Sequence, residues 1–205
     1  MGDSDQDEST ETVLEDVPDW DDEYVDRVSD RLMHSYDLER DRRVAGRRFT
    51  LYGRLEIERR KHFIHPAVTY GNHQTTEHLF VDRADEVTVA DLERLAAVGD
   101  ELADSWIEAD EEHYGTEFVF GVVAPTISDE VRAFVADYEN RTLLKYGYYG
   151  HYTVRLFVVA PEREDAVASP GVDVVTAFRL WDDLDAAAQS RGVLARLRAA
   201  VSRRS

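Results

Sequence analysis

Two short stretches of this 205-residue chain hold the side chains needed for acid–base work on a phosphodiester. HQT at 73–75 and HYT at 151–153 each place a Thr two positions after a His. In a strand that spacing puts both side chains on one face. Two imidazoles so placed act as general base and general acid, while each hydroxyl holds a phosphate oxygen. The candidate catalytic set is therefore His73, Thr75, His151 and Thr153. The competing reading is two polar strand ends: with 7 His and 12 Thr in the chain, chance supplies about 0.4 such triplets.

A metal would need imidazoles and carboxylates, because the chain has no cysteine. His62, His65, His73 and His78 fall within 17 residues, with Glu56, Glu58 and Glu77 nearby. His62 and His65 are three apart, so in a strand they point to opposite faces and cannot share an ion without a bend at Pro66. No metal and no cofactor is expected. G-x-S-x-G, Walker A and dinucleotide fingerprints are absent from the sequence, which removes support for hydrolase-elbow, P-loop and Rossmann functions.

The paired triplets resemble the motifs of the two-histidine phosphoesterase superfamily. That resemblance covers the two triplets alone and implies action on RNA ends or cyclic phosphates. A second resemblance is one of element order: a helix, three strands, a helix and a strand are similar to the core of restriction-endonuclease-like proteins. The acid-x-Lys pair of that fold has no counterpart, since Leu79 stands two positions after Glu77. It implies at most a degenerate, nucleic-acid-binding relative.

Residues 40–61 hold nine bases against three acids. Arg47, Arg48, Arg54, Arg59, Arg60 and Lys61 are the candidate anion or nucleic-acid contacts, and Tyr146, Tyr148, Tyr149 and Tyr152 near Lys145 are candidates for stacking bases. Six phosphate contacts lose on the order of a million-fold in affinity between ~0.15 M and ~2 M salt. Nucleic acid is thus disfavoured as a partner in strong salt. The alternatives are pairing with the chain's own acids and Arg stems lying over apolar surface.

The elements that must position these residues follow from periodicity. Val25, Val28, Leu32 and Tyr36 recur at helical spacing, predicting a helix from 22 to about 40 closed by Gly46. Alternation predicts a strand from Phe49 to Glu58, and two more at His62–Tyr70 and Glu77–Val81, together an antiparallel meander. Thr88 caps a helix with Leu92, Leu95, Ala96, Gly99, Leu102 and Trp106 on one face. Phe118–Ala124 and His151–Ala160 are apolar on both faces and end alike in VVAP, with a Ser128-capped helix between them, as in a β-α-β unit with parallel strands. A last helix carries Val174, Phe178, Trp181 and Leu184. The predicted fold class is a single mixed α/β domain ordered α-β-β-β-α-β-α-β-α.

Charge is unevenly spread over that domain. Eleven of the 43 acids, and no base, lie in residues 1–23 of a chain whose formal charge is −19. Residues 1–21 read as a disordered acidic tail, 22–189 as the domain, and 190–205 as a basic amphipathic segment. No apolar run is long enough for membrane insertion and the start has no secretion signal, so a cytoplasmic setting is expected. The 22 Arg to 2 Lys, beside abundant Asp, Ala and Val, look like proteins of halophilic archaea. The stretch 20–185, with PDWDDEYVDRVSDRL, SYDLERD, LYGRLEIE and KYGYYGHY, resembles an uncharacterised haloarchaeal family, a domain of unknown function. That resemblance implies a setting and no activity. With no complete catalytic set in the sequence, the expected function is a non-enzymatic protein-interaction or regulatory module.

Overall fold

A computed structural model describes residues 18–59, 73–108 and 113–182. The acidic tail up to 17, the expected strand at 62–70, Arg60, Lys61, His62, His65 and the basic segment 190–205 lie outside the described residues.

Helix α1 (Glu23–Leu32) starts where the Asp22 side chain accepts hydrogen bonds from the Tyr24 and Val25 amides. Its buried stripe is Val25, Val28 and Leu32. The helix stops there, whereas the sequence pattern carries it to about 40. Beyond Leu32 the chain turns, and DLERDRRV forms strand β1 (Asp37–Val44) instead. Gly46 is not a helix terminus but the second residue of a two-residue hairpin turn. Ala45 and Gly46 both have positive φ, 49° and 72°, and Val44 pairs with Arg47 at the start of β2 (Arg47–Arg59). Tyr36, spaced as though on the helix, is buried against the sheet.

The meander continues antiparallel into β3 (His73–Arg83). Helix α2 (Val89–Trp106) then crosses over to β4 (His113–Val123), which runs parallel to β3. Thr88 caps α2 through a capping box with Asp91, as its sequence predicts. Helix α3 (Asp129–Asp137), capped by Ser128, leads to β5 (Asn140–Leu143) and β6 (His151–Ala160), and β6 is parallel to β4 as the repeated VVAP suggests. Strand β7 (Asp165–Ala168) and the short helix α4 (Val175–Phe178) complete the fold. The sheet order is β1-β2-β3-β4-β6, with β5 and β7 pairing successive parts of the outer edge of β6. Neither four-residue edge strand is visible in the sequence pattern.

Helices cover both sheet faces, giving three layers. On one, Leu92, Leu95, Leu102, Val131 and Val135 pack on Phe80, Phe118, Phe120 and Leu156. On the other, Val25, Val28, Leu32 and Phe178 pack on Leu51, Leu79, Val119 and Phe157.

The first core encloses His78, stacked on Phe118, edge-on to Trp106 and hydrogen-bonded through Nδ1 to the Tyr52 hydroxyl at 2.8 Å. Burial first, then Arg54 and Arg42, push its pKa down to about 4. An unfolded chain protonates this ring near 6.5, so stability held above that pH is lost as the pH falls toward 4, by about 3 kcal/mol in all. In a proton NMR titration the His78 ring is expected to stay neutral until about pH 4. A midpoint near 6.5 contradicts this packing.

Candidate functional site

The apolar cluster under α1 and α4 occupies the later halves of β3, β4 and β6. The earlier halves of the same strands carry polar residues, and register aligns them into rows. Thr75, Gly115 and His151 are partners across β3, β4 and β6. The next row is Glu77, Glu117, Thr153 and, on β5, Arg141. A bulge sets this alignment: Gln74 pairs with His113 but Thr75 with Gly115, leaving Tyr114 as the extra residue.

Glu77 is pushed above the ordinary carboxylate range by burial, despite accepting a 2.6 Å hydrogen bond from the Tyr36 hydroxyl. Glu117 and Asp173 raise it further, and Arg155 opposes them. Burial, with Glu77, drives the Tyr36 hydroxyl far above its usual value. Glu117 is held by Arg155 Nε at 3.2 Å, and the same guanidinium donates to the Pro170 carbonyl. Two adjacent carboxylates thus share the face, one held by an arginine and one favouring its proton.

The His151 ring lies over Gly115: a Cβ there would stand 3.2 Å from Cε1 and 3.5 Å from Nε2. Tyr114 meets it edge-on, with ring centroids 6.1 Å apart. Burial, then Arg141, lower the His151 pKa, Glu117 opposes them, and His113 and Arg155 add to the lowering. The imidazole is therefore neutral at pH 7 and able to accept a proton. A cavity of about 320 Å³ opens beside it, lined by Arg141, His151, Thr153 and Arg155 among others.

Of the four candidate catalytic residues, Thr75, His151 and Thr153 lie on this part of the sheet. His73 opens β3 opposite Arg59, and its side chain lies outside the described residues. The two triplets are separated by β4 and offset by one row, so that Thr75, not His73, stands level with His151. Tyr36, Glu117, Arg141 and Arg155 are absent from the sequence-based set. A signal for part of it exists: TEHLF at 76–80 and TEFVF at 116–120 share T-E-x-x-F and pair residue for residue.

The basic candidates are engaged by acids. Arg47 pairs with Asp82 at 3.0 Å, Arg48 with Asp41 at 2.7 Å and Arg54 with Glu56. Their neighbours Arg40 and Arg42 pair with Asp21 and Glu39. These are surface pairs, each worth at most about 1 kcal/mol, but a phosphate must displace them. The Arg42 guanidinium also lies 4.6 Å over the Tyr52 ring, one of the stems on apolar surface. The side chain of Arg59 lies outside the described residues, as do Arg60 and Lys61. His78 and Glu77, adjacent on β3, face opposite sides of the sheet and cannot share a ligand. Among the described residues no three His, Asp or Glu are grouped to hold a metal, and no helix is long and apolar enough to cross a membrane.

The last feature near the site is the segment after β5, a 3₁₀ turn (Leu144–Gly147) leading through Tyr148–Gly150 into β6. Lys145 and Tyr146 sit in the left-handed region at φ 43° and 60°, and Tyr146 and Tyr148 are 98% and 86% exposed. The segment is tied down: His113 Nδ1 is 2.8 Å from the Tyr149 carbonyl, and the Leu144 amide donates to the Gly150 carbonyl at 3.0 Å.

Fold and site define a three-layer α/β domain whose mixed seven-stranded sheet carries a polar patch and a tyrosine-rich loop at one end. A family model, Domain of unknown function (DUF8052), matches residues 21–180, and the chain belongs to that family. Comparison with curated proteins and with solved structures finds no match.

Proposed function

We propose that this domain is a non-enzymatic protein-interaction module whose contact surface is the tyrosine-rich loop 143–149 together with Tyr114. One observation carries the reading. The exposed large apolar side chains among the described residues are Tyr114, Leu143, Tyr146 and Tyr148. They gather at one place, since Tyr114 lies against Gly150 and His151 at the loop's end. Exposed tyrosines held on a fixed backbone are costly as solvent-facing surface and effective as interface anchors, because they bring large contact area with little side-chain entropy to lose. Left-handed backbone at two non-glycine residues is strain of the kind that persists where a site needs a set geometry. The acidic, Lys-poor composition supports a salt-rich haloarchaeal cytoplasm as the setting, where contacts of this kind outlast screened charge pairs.

A photo-crosslinking residue at position 146 in the full chain, expressed in its own cells, is expected to capture one defined protein, and the same residue at exposed Glu162 is not. The Tyr146→Ala/Tyr148→Ala variant should lose at least about tenfold in affinity for the captured protein with its thermal midpoint unchanged. Equal capture from both positions, or undiminished binding by the variant, rejects the interface.

Register supports a second reading, the phosphoesterase, because Thr75 and His151 share a row across the side-chain-free Gly115. Its test is cyclic-phosphate hydrolysis at high salt, which His151→Ala must abolish. The pairing of Arg47, Arg48 and Arg54 with carboxylates leaves the nuclease-like reading with less support.

A further inference from the structure

Thr153 is only 6% exposed, lines the 320 Å³ cavity, and its hydroxyl has no hydrogen-bond partner among the described residues. The residue is buried but its hydroxyl is not sealed off, and its open side is the cavity. Arg141 is its register partner on β5, and the Arg141 side chain makes neither an ion pair nor a hydrogen bond among the described residues. His151, one row away on the same strand, also lines the cavity, and neither ring nitrogen is hydrogen-bonded among the described residues. Arg155, already engaged by Glu117 and the Pro170 carbonyl, forms part of the wall. A hydroxyl, a fork of N–H groups and an imidazole therefore converge on one space, each with unused hydrogen-bonding capacity or positive charge.

From this geometry we infer that the cavity binds a tetrahedral oxyanion, phosphate or a phosphate monoester. Thr153 Oγ1 and the Arg141 guanidinium donate to its oxygens, and His151 donates once the anion has drawn a proton onto the ring. Three donors from two strands suit an anion whose oxygens point in several directions better than a planar carboxylate, which one Arg fork satisfies alone. The acids facing the space are accounted for. Glu117 is neutralised by Arg155, while Glu139 is exposed at the rim where water screens it. The other charged or titratable groups around His151 and the cavity are Arg141, His113, Arg155, Tyr114, which meets the ring edge-on, and Tyr138, whose hydroxyl pKa is raised by burial. The neutral His151 ring gains its proton on binding, so its titration midpoint should rise in the complex. The inference is independent of the tyrosine loop, and loss of either leaves the other standing.

The test is an NMR titration of the full-length protein with inorganic phosphate and, separately, methyl phosphate, at constant ionic strength set by molar KCl, following the His151 ring. The expected result is a saturable shift, a rise in the His151 titration midpoint, and binding about tenfold or more weaker in Arg141→Ala. Thr153→Val, which keeps the side-chain shape and removes only the hydroxyl, should weaken binding several-fold with little change in the thermal midpoint. The Tyr146→Ala/Tyr148→Ala variant should bind as the parent does. Binding of methyl phosphate as tightly as phosphate assigns the site to a monoester, and binding of phosphate alone assigns it to the free anion. No saturable shift with either at about 100 mM overturns the inference. So does a shift that survives unchanged in Arg141→Ala and Thr153→Val, which would mark an adventitious ion only.

Discussion

Replacing Gly121 by Ala is expected to lower stability by about 3 kcal/mol, the upper end of what a single added methyl costs in a packed core. Gly121 lies on β4 directly under the ring of Phe157, and a Cβ built there would overlap the far end of that ring. Phe157 cannot move aside. It is fully buried, paired to Gly121 through the parallel ladder, and packed at a tilt of 57° against Phe178 of α4, with 4.8 Å between centroids. For a domain of this size the loss lowers the thermal midpoint by roughly 10 °C. Because the colliding atoms are Cζ and the two Cε atoms, Phe157→Leu removes them, and the double variant should recover part of the loss. A double-mutant cycle by chemical denaturation measures that coupling. A purely additive pair would mean that the ring does not sit over β4 as described. Gly115→Ala, on the same strand face, meets only the movable His151 ring at 3.2 Å. The same chemical change thus reads core packing at one position and site geometry at the other.

How far the sequence reveals this molecule depends on which face of each element meets the core. Strands β4 and β6 are buried on both faces and α2 carries a full apolar stripe, so periodicity locates all three. Strand β1 is hidden because DLERDRRV is an edge strand that buries only Val44; its charges blunt a free edge and imitate a solvated helix end. Strands β5 and β7 are four residues each, too short for alternation to register. Three of the four H-x-T residues, Thr75, His151 and Thr153, reach the site, but its surroundings depend on register. The row Glu77–Glu117–Thr153–Arg141 exists only because the bulge at Tyr114 and the crossovers set three strands level, and no local spacing encodes that alignment. The available clue was the pair of acids at 77 and 117, each two residues before an apolar position on the same face, Leu79 and Val119. The tyrosines were visible as residues, while their exposure follows from a backbone conformation that composition does not show.

That conformation makes Gly150→Ala the second large effect, and it falls on function. Gly150 has φ 77°, which an L side chain adopts at a cost of about 1 kcal/mol or more. Its Cβ would also overlap the Tyr114 carbonyl and stand 2.9 Å from that of His113, both backbone atoms of β4 with little freedom to retreat. The variant must therefore lift the loop off β4 or break the Leu144 amide–Gly150 carbonyl bond that closes it. The expected loss is about 2–3 kcal/mol, carried by the loop and the β4 bulge. Hydrogen exchange should accelerate at the Leu144 amide, with β2 and β3 protected as before. Partner binding should fall as far as in the Tyr146→Ala/Tyr148→Ala variant, although both tyrosines are still present. Gly147→Ala is the control: its φ is 89°, yet a Cβ there meets nothing nearer than Leu143 Cδ1 at 4.0 Å, so it carries backbone strain without collision. If Gly150→Ala opens the loop and binding persists, the tyrosines act as loose side chains and the fixed geometry has no part in recognition. If binding falls with Gly150→Ala and holds with Gly147→Ala, the seat of the loop on β4 is what presents the tyrosines to a partner.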